Sequence, residues 1–320
     1  MNEKVQLFAR VREAAKSRCF SRKTENAYLN HTRRFLEFSD KSDVSKATIS
    51  EIQAFLEHLK TEKHLSAATQ NQAVCALTFL FRDIFGRSLP LADGQMRRVC
   101  PSFKARTIFT AEESKAVLAN LRGAAYLAAA LMYGAGLRLA EALNLRVGDL
   151  DFERGAITVR DLLTGAKDRA TVLPKSIVPA FRKHLIEVKY LHEDDCLRGG
   201  GAVFLPPAIA RKFADEEREW RWQYVFPSRK LTAEGGEIRR RHLAESTVQK
   251  ALNEAAEKAR IVKKGNCRTL RYSFAVRLFE KNTDVHTIQN LLGHKNLKTT
   301  MSYINFARRV GREVQSPLDY

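Results

Sequence analysis

The 320 residues predict a mainly α-helical protein of two domains, the second of which also contains a small antiparallel sheet. Apolar residues recur at helical spacing in three early segments, 24–38, 48–59 and 67–85. A charged stretch without periodicity, 89–107, then separates these segments from a longer region of further helical patterns. Inside that longer region the apolar period changes from helical to strand-like around residue 160, which predicts a local hairpin within a helical domain.

The composition combines a large positive charge with enough apolar residues for a folded protein. The chain has 55 lysines and arginines against 36 aspartates and glutamates, a formal net charge of +19, and 44% hydrophobic residues. An excess of this size on a folded chain favours a polyanionic partner, and a generically basic protein is the alternative.

Three absences in the sequence predict a cytoplasmic protein. No run of about 18 apolar residues is present, and the N-terminal residues lack the basic-then-apolar pattern of a secretory signal. The five cysteines are scattered and form no CxxC pair, so neither a disulfide framework nor a zinc site is indicated.

Basic residues lie both in the first domain, predicted over residues 1–88, and in the linker, predicted over 89–107. The linker contains two prolines, a glycine and four basic residues, a composition suited to a segment that lies along phosphates. The candidate nucleic-acid contacts of the two segments are Arg33, Arg34, Arg97, Arg98 and Lys104.

The second domain, predicted over residues 108–320, begins with a helix-capping pattern, Thr110-Ala-Glu-Glu113. A strongly apolar segment, 124–133, predicts a buried helix that Gly134 and Gly136 end. Strand-like alternation on both sides of a turn predicts a β-hairpin over 156–173. Helical patterns return in four later segments, 177–190, 246–260, 269–281 and 284–292.

Four short segments of this domain carry residues suited to a reaction at a phosphate. Each is weak alone, because an arginine on a helix is usually solvated, and a histidine after a glycine or a single tyrosine has ordinary structural roles. Their order and spacing are more specific: Gly136-Leu-Arg138-Leu-Ala-Glu141, Thr269-Leu-Arg271-Tyr-Ser-Phe274, Leu291-Leu-Gly-His294, and Tyr303 nine residues after the histidine.

In this order and spacing the chain resembles the tyrosine recombinase family, also called phage-integrase-like, over nearly its whole length. The segment 191–228 and the ending 314–319 are similar to integron integrases, a subfamily of these recombinases. The resemblance implies a helical DNA-clamping first domain and a mixed α/β catalytic second domain with a small antiparallel sheet.

The resemblance also implies the chemistry. Tyr303 would attack a DNA phosphate to form a 3′-phosphotyrosyl bond and a free 5′-hydroxyl, and because the bond energy is retained, no metal, ATP or other cofactor is implied. Arg138 and Arg271 can each hold non-bridging oxygens with paired hydrogen bonds. A tyrosine has an ordinary pKa of about 10 and needs help to lose its proton. His294 is placed to orient Tyr303 or to donate to a phosphate oxygen.

Three positions depart from the family pattern. Arg268 stands where the family has a histidine, three residues before Arg271, and an arginine is a poor proton shuttle. Thr164 stands in the hairpin turn where the family has a lysine that protonates the leaving oxygen, and Lys167, three residues later, takes this role only if the turn is reshaped. Tyr272 replaces a further histidine, which is a lesser change. The sequence therefore predicts an active-site framework with weakened acid–base chemistry.

The segment 191–228 contains both tryptophans, Trp220 and Trp222, each beside an arginine. Integron integrases join a double-stranded attachment site to a folded single-stranded cassette site, and the resemblance implies this substrate here. Aromatic and guanidinium faces suit stacking on an unpaired base, and packing beneath the insertion is the alternative. We expect one tryptophan in the core and the other exposed, with His242 as a weaker candidate on the same surface.

Two other functions stay open on the sequence. A recombinase relic that grips DNA without cutting is favoured by Arg268 and Thr164 and disfavoured by the four motif residues. A type IB topoisomerase uses the same tyrosine chemistry but is disfavoured by the short helical domain and the insertion. The resemblance further implies a homotetramer on DNA, a monomer when free, no membrane partner, and a bacterial cytoplasmic location with nucleoid association when DNA is bound.

The substitution Thr164→Lys tests the altered turn. General acid help is typically worth about 10²–10⁴ in rate, so we expect the variant to cleave a DNA substrate faster than the parent, by up to that factor. The two rates are to be measured side by side on one substrate. Equal rates would show that the turn is not the defect.

Overall fold

The structure, a computed structural model, describes residues 3–39, 44–89, 106–160, 168–205, 214–234 and 237–310. The chain divides into two compact units, Met1–Lys104 and Ala105–Tyr320. Most of the predicted linker, 89–107, lies outside the described residues. The predicted class, mainly helical with small antiparallel sheets, is confirmed.

The first unit is all-helical in its described residues, and its helices enclose one aromatic-rich core. Phe35, Phe55 and Phe81 are fully buried and pack ring against ring. A capping box at Thr48 begins the third helix, and Gly86, with a φ of 67°, follows the last helical turn as the sequence predicts. The helices are α1 (Glu3–Ser17), α2 (Arg22–Ser39), α3 (Ile49–Thr61) and α4 (Ala67–Phe79), with a 3₁₀ turn at Val44–Lys46 and a π-helical turn at Leu80–Ile84.

The second unit builds a larger core around one apolar helix, α6. Leu127, Ala128, Leu131 and Met132 of that helix are almost fully buried, because its sequence is apolar on every side. The predicted capping box at Thr110 is present. The helices are α5 (Ala111–Ala119), α6 (Gly123–Gly134), α7 (Leu139–Asn144), α8 (Val178–Leu197), α9 (Glu245–Lys258), α10 (Cys267–Glu280), α11 (Val285–Leu292) and α12 (Leu297–Val310).

Two small antiparallel sheets accompany these helices. The first has the order β1-β2-β3 and contains the predicted hairpin, with Ala156 opposite Val172 and Val159 opposite Arg169. The second is a two-stranded ribbon that the sequence did not predict. The strands are β1 (Leu150–Asp151), β2 (Ala156–Val159), β3 (Arg169–Val172), β4 (Pro227–Glu234) and β5 (Glu237–His242).

The predicted insertion, 191–228, does not begin where a helix ends. Helix α8 continues to Leu197, seven residues beyond the predicted end at residue 190. The first residues of the insertion therefore form the last turns of this helix. The segment then contains two 3₁₀ turns, Ala214–Arg218 and Trp220–Trp222, before β4 begins. No helix in the described ranges is long and apolar enough to cross a membrane.

Two glycine turns shape the region where the motif residues lie. Gly136 has a φ of 67°, and a Cβ there would lie 2.5 Å from carbons of the Phe274 ring. Gly293 has a φ of 64°, and a Cβ there would lie 2.7 Å from Cδ of Arg169. Both positions therefore need glycine for the backbone conformation and for the close approach of a neighbouring side chain.

Candidate active site

The structure brings the four motif residues together from four helical elements of the second unit. Arg138 is the N-cap residue directly before α7, Arg271 lies near the start of α10, His294 follows the end of α11, and Tyr303 lies on α12. A continuous chain of contacts joins them. Arg138 and Arg271 share the carboxylate of Glu141, Arg271 contacts His294, and the His294 ring lies against Tyr303.

Glu141 is the acceptor on which the arginines converge. Its carboxylate accepts from the Arg138 guanidinium, from both terminal nitrogens of Arg169 at 3.0 and 2.7 Å, and from Arg271 at 3.3 Å. It also accepts the backbone N–H of Arg138 at 2.7 Å, which caps α7. Burial raises the pKa of this carboxyl, but the Arg169 guanidinium, the Arg138 amide and Arg271 outweigh it and lower the pKa to about 2.

Arg271 is 2% exposed, and its terminal nitrogens are fully used within the protein. Nη1 donates to the Gly136 carbonyl at 2.6 Å and to Glu141, and Nη2 donates to the Leu292 carbonyl at 2.6 Å and to His294 Nε2 at 3.2 Å. Burial, reinforced by the charge of Arg138, lowers the pKa of Arg271 to about 10, so the group is still cationic at neutral pH. A phosphate oxygen can bind its terminal nitrogens only by displacing one of these acceptors.

His294 is held neutral and in one tautomer. A guanidinium can only donate, so Nε2 accepts from Arg271, and Nδ1 therefore carries the proton that it shares with Thr300 Oγ1 at 2.9 Å. Burial and then the positive charges of Arg271, Arg138 and Arg169 lower the pKa of His294 to about 4.

Tyr303 is 9% exposed and lies against two other aromatic rings. Its ring centroid lies 4.4 Å from that of Tyr272 and 4.9 Å from that of His294, both in edge-to-face geometry. Tyr272, which the sequence marked as a lesser departure from the family, is therefore in direct contact with the candidate nucleophile.

Of the remaining predicted catalytic residues, the structure describes Arg268 but not Lys167. Arg268 is exposed in the first turn of α10, and no hydrogen bond or ion pair of its guanidinium occurs among the described residues. Lys167 and Thr164 lie outside the described residues, so their predicted roles stay predictions.

Two predicted DNA contacts of the first unit lie on α2. Arg33 is exposed, with its guanidinium 5.7 Å from the centre of the Phe8 ring, and Arg34 is half-buried beside a groove lined by Phe38, His58 and Lys63. The candidates Arg97, Arg98 and Lys104 lie outside the described residues.

The two tryptophans differ in their surroundings. Trp222 is 7% exposed, packs with Val203 and Tyr224, and donates its Nε1–H to Glu216 at 2.7 Å. Its place is therefore in a local core, as expected for one of the two tryptophans, and the nucleic-acid contact predicted for it stays a prediction. Trp220 is half-buried, with its ring centroid 5.9 Å from that of His192.

His242 is half-buried at the end of β5, with its ring edge-on to Tyr224 at 5.5 Å and its Nδ1 2.7 Å from the Leu243 carbonyl. The surface role predicted for it stays a prediction.

Sequence reasoning missed two residues that hold this site. Glu141 stands in the first motif, three residues after Arg138, and this capping-box spacing was an available signal for part of its role. Arg169 had no such signal, because its partners, Glu141 and the Leu291 carbonyl at 3.1 Å, lie far away in the sequence.

No group of three or more histidine, cysteine, aspartate or glutamate side chains in the described ranges could hold a metal ion.

Two family models and several relatives match this chain. The model of the phage integrase family matches residues 105–309, and that of the phage integrase N-terminal SAM-like domain matches residues 7–91. An integrase/recombinase of Escherichia coli is 36% identical over 317 residues, covering 98% of this chain and 94% of the relative. The tyrosine recombinase XerA of Thermococcus kodakarensis is 30% identical, covering 88% of this chain and 83% of the relative.

Solved structures share the fold. A XerH site-specific recombinase bound to its difH substrate superposes with a TM-score of 0.62 at 20% identity, covering 97% of this chain and 85% of that one. A lambda integrase (75–356) dimer bound to a COC′ core site gives a TM-score of 0.61 at 19% identity, covering 97% and 98%.

The low pKa of His294 predicts a loss of stability in mild acid. The unfolded histidine takes up a proton near its ordinary pKa of 6.5, whereas the folded one resists until about pH 4. The stabilisation is therefore present above pH 6.5 and is lost as the pH falls towards 4, by up to about 3 kcal/mol for this residue. Urea unfolding between pH 4 and 7 measures it, and His294→Gln should have the shallower dependence on pH.

The matched control is His286→Gln, which removes an exposed histidine of α11 and should keep the parent's dependence on pH. Identical dependences for the parent and His294→Gln would contradict the assignment of a neutral, buried imidazole.

Proposed function

The chain belongs to the phage integrase family of tyrosine recombinases, and from this premise we propose that it is an integron-type integrase in which Tyr303 is the nucleophile. Cleavage and religation of DNA at specific sites is the activity of the family. The observation that carries the assignment of Tyr303 is the unbroken set of contacts from Arg138 through Glu141, Arg271 and His294 to its ring.

The arginines supply the charge that phosphoryl transfer needs. Three guanidiniums, those of Arg138, Arg169 and Arg271, surround one carboxylate, so the cluster keeps a positive excess for a phosphate. The side chain of Arg138 is 47% exposed and contacts Glu141 through Nη1. We propose that Arg138 binds the phosphate first. Arg271 then exchanges one of its protein hydrogen-bond acceptors for a phosphate oxygen.

His294 supports the tyrosine rather than the phosphate. In the tautomer that its partners impose, Nε2 has no hydrogen to give, so donation to a phosphate oxygen would require the Thr300 bond to break. Its ring lies perpendicular to that of Tyr303 at 4.9 Å and orients the phenol, while its one acceptor atom, Nε2, is taken by Arg271. Of the two roles that the sequence left open, we propose the first.

The leaving-group side of the reaction has fewer candidates. Arg268 is exposed at the start of α10 and can contact a phosphate, but an arginine does not deprotonate and is no source of a proton. We therefore propose Lys167, in the segment that joins β2 to β3, as the general acid, and expect a slow enzyme if it does not reach the leaving oxygen.

The proposal of an integron-type substrate is supported by how the insertion is attached. Arg146 lies 3.5 Å from the centre of the Tyr224 ring and donates to the carbonyls of Trp222 and Phe204 at 2.8 and 2.7 Å. This buried arginine fixes the insertion to the rest of the second unit. Trp220, in the same insertion, stays half-exposed. We propose that Trp220 stacks on an unpaired base of a folded single strand, and that the enzyme joins this strand to a duplex site as a homotetramer.

Covalent trapping tests the nucleophile. Incubation with a nicked oligonucleotide bearing a folded cassette-type site is expected to yield an SDS-resistant protein–DNA adduct, because the severed strand cannot rejoin. Tyr303→Phe should abolish the adduct. Tyr272→Phe, at the neighbouring ring, should still form it, which excludes Tyr272 as the attached residue. Tight DNA binding without any adduct would instead favour a relic that no longer cuts.

The tryptophans make separate predictions. Stacking on a base is worth about 1–3 kcal/mol, so Trp220→Ala should weaken binding to a folded single strand at least about fivefold and leave duplex affinity unchanged. Band-shift titrations of both substrates measure this difference. Tyr190→Ala, which removes an exposed ring of α8, is the control. Trp222→Ala should instead lower the melting temperature, because Trp222 is part of a local core. If Trp220→Ala lowers the affinity for both substrates equally, Trp220 also has a packing role.

A further inference from the structure

We propose that Arg106 is a positioning residue for the nucleophile, holding the Tyr303 ring and the backbone beside it. This inference rests on the proposed function, in which Tyr303 attacks the phosphate. Arg106 falls within the range predicted as a linker, and no motif of the sequence points to it.

Arg106 lies shortly before α5 and contacts α12, 196 positions away in the sequence. Its Nη1 donates to the Ser302 carbonyl at 2.5 Å and to Ser302 Oγ at 2.7 Å. Ser302 directly precedes Tyr303, so these two bonds fix the backbone from which the nucleophile projects.

The same guanidinium also covers the aromatic pair. Its central carbon lies 5.0 Å from the centre of the Tyr303 ring and 5.3 Å from that of Tyr272, within the range of cation–π attraction. Tyr272 and His294 also lie against the Tyr303 ring, each in perpendicular geometry, so this ring is held from several sides. A ring held from several sides has few other orientations, which reduces the entropy lost on reaching the attacking geometry.

The charge of Arg106 suits the change that the reaction makes. When the phenol loses its proton, negative charge develops on its oxygen and ring, and a fixed guanidinium favours that state over the neutral phenol. A lysine would supply the charge but neither the planar face over two rings nor the same donor geometry towards Ser302.

A simple DNA contact is the competing account, because an arginine near the first residues of the second unit also suits a phosphate. The two accounts differ in what they predict for bound DNA. A phosphate contact would change affinity and leave the reactivity of the saturated complex unchanged, whereas a positioning residue would change the reactivity of the saturated complex.

Single-turnover adduct formation on the nicked substrate, at saturating protein, separates these accounts. We expect Arg106→Ala to slow adduct formation at least about tenfold, with an unchanged melting temperature. Arg106→Lys should recover part of the rate, and Ser302→Ala, which keeps the carbonyl acceptor, should change it less than about threefold. The control for lost positive charge is Arg154→Ala, whose side chain is 87% exposed on the turn after β1.

The dependence of the rate on pH provides the readout that a purely structural defect would not move. With one cation fewer beside the phenolate, the pH of half-maximal rate should rise in Arg106→Ala, whereas a general loss of folded enzyme lowers the rate equally at every pH. An unchanged or increased saturated rate in Arg106→Ala would overturn the inference. If the parent forms no Tyr303-dependent adduct, the proposed function itself is wrong. A failure of the proposed function is therefore distinguished from a failure of the role proposed for Arg106.

Discussion

The geometry of the site depends on one carboxylate, Glu141, that compensates three arginines. Arg271 is almost completely buried, and among the described residues Glu141 is its one ion-pair partner. Removing one partner of a buried pair costs about 3–5 kcal/mol, because the other charge is left uncompensated. Because the same carboxylate also pairs with Arg169 at the start of β3 and caps α7, it connects three elements whose ends form the site.

The glycine turns serve the same arrangement. Arg271 is held by the carbonyls of Gly136 and Leu292, and Leu292 directly precedes Gly293. Both glycines have positive φ angles, so each turn points a carbonyl inward where a helix would keep it within its own hydrogen bonds. The glycines of the two motifs thus have a physical reason that spacing alone does not reveal: they present the acceptors that orient the buried arginine.

The sequence predicted the features that local rules govern. The capping box at Thr110, the helix end at Gly86 and the hairpin around residue 160 all follow from patterns within a few residues, and each is present. The four motif residues could be identified because their order along the chain is specific. Their side-chain partners could not, because Arg169 and Arg106 make contacts across more than a hundred residues of sequence or between separate elements.

The missed hairpin of β4 and β5 has a different cause. Its strands are rich in charged residues, and the inward position that a hydrophobic residue would mark is taken by Arg240, which is buried in a paired contact with Asp195. A buried ion pair of this kind hides the alternation on which strand prediction relies. Trp222, the buried tryptophan, likewise has a partner far away in the sequence, because Arg146, 76 positions earlier, donates to its carbonyl.

The residues on both sides of the segment 161–167, which contains Thr164, are held by contacts among the described residues. At one end, Arg160 pairs with Asp149 at 2.5 Å and lies 5.1 Å from the Trp222 ring of the insertion. At the other end, Arg169 is fixed by Glu141 and the Leu291 carbonyl. Thr164 is not a partner in any of these contacts, so its substitution removes none of them. The insertion thus contributes, through the Trp222 ring beside Arg160, to holding the residue that follows β2, which under the proposed function lies on the leaving-group side of the reaction.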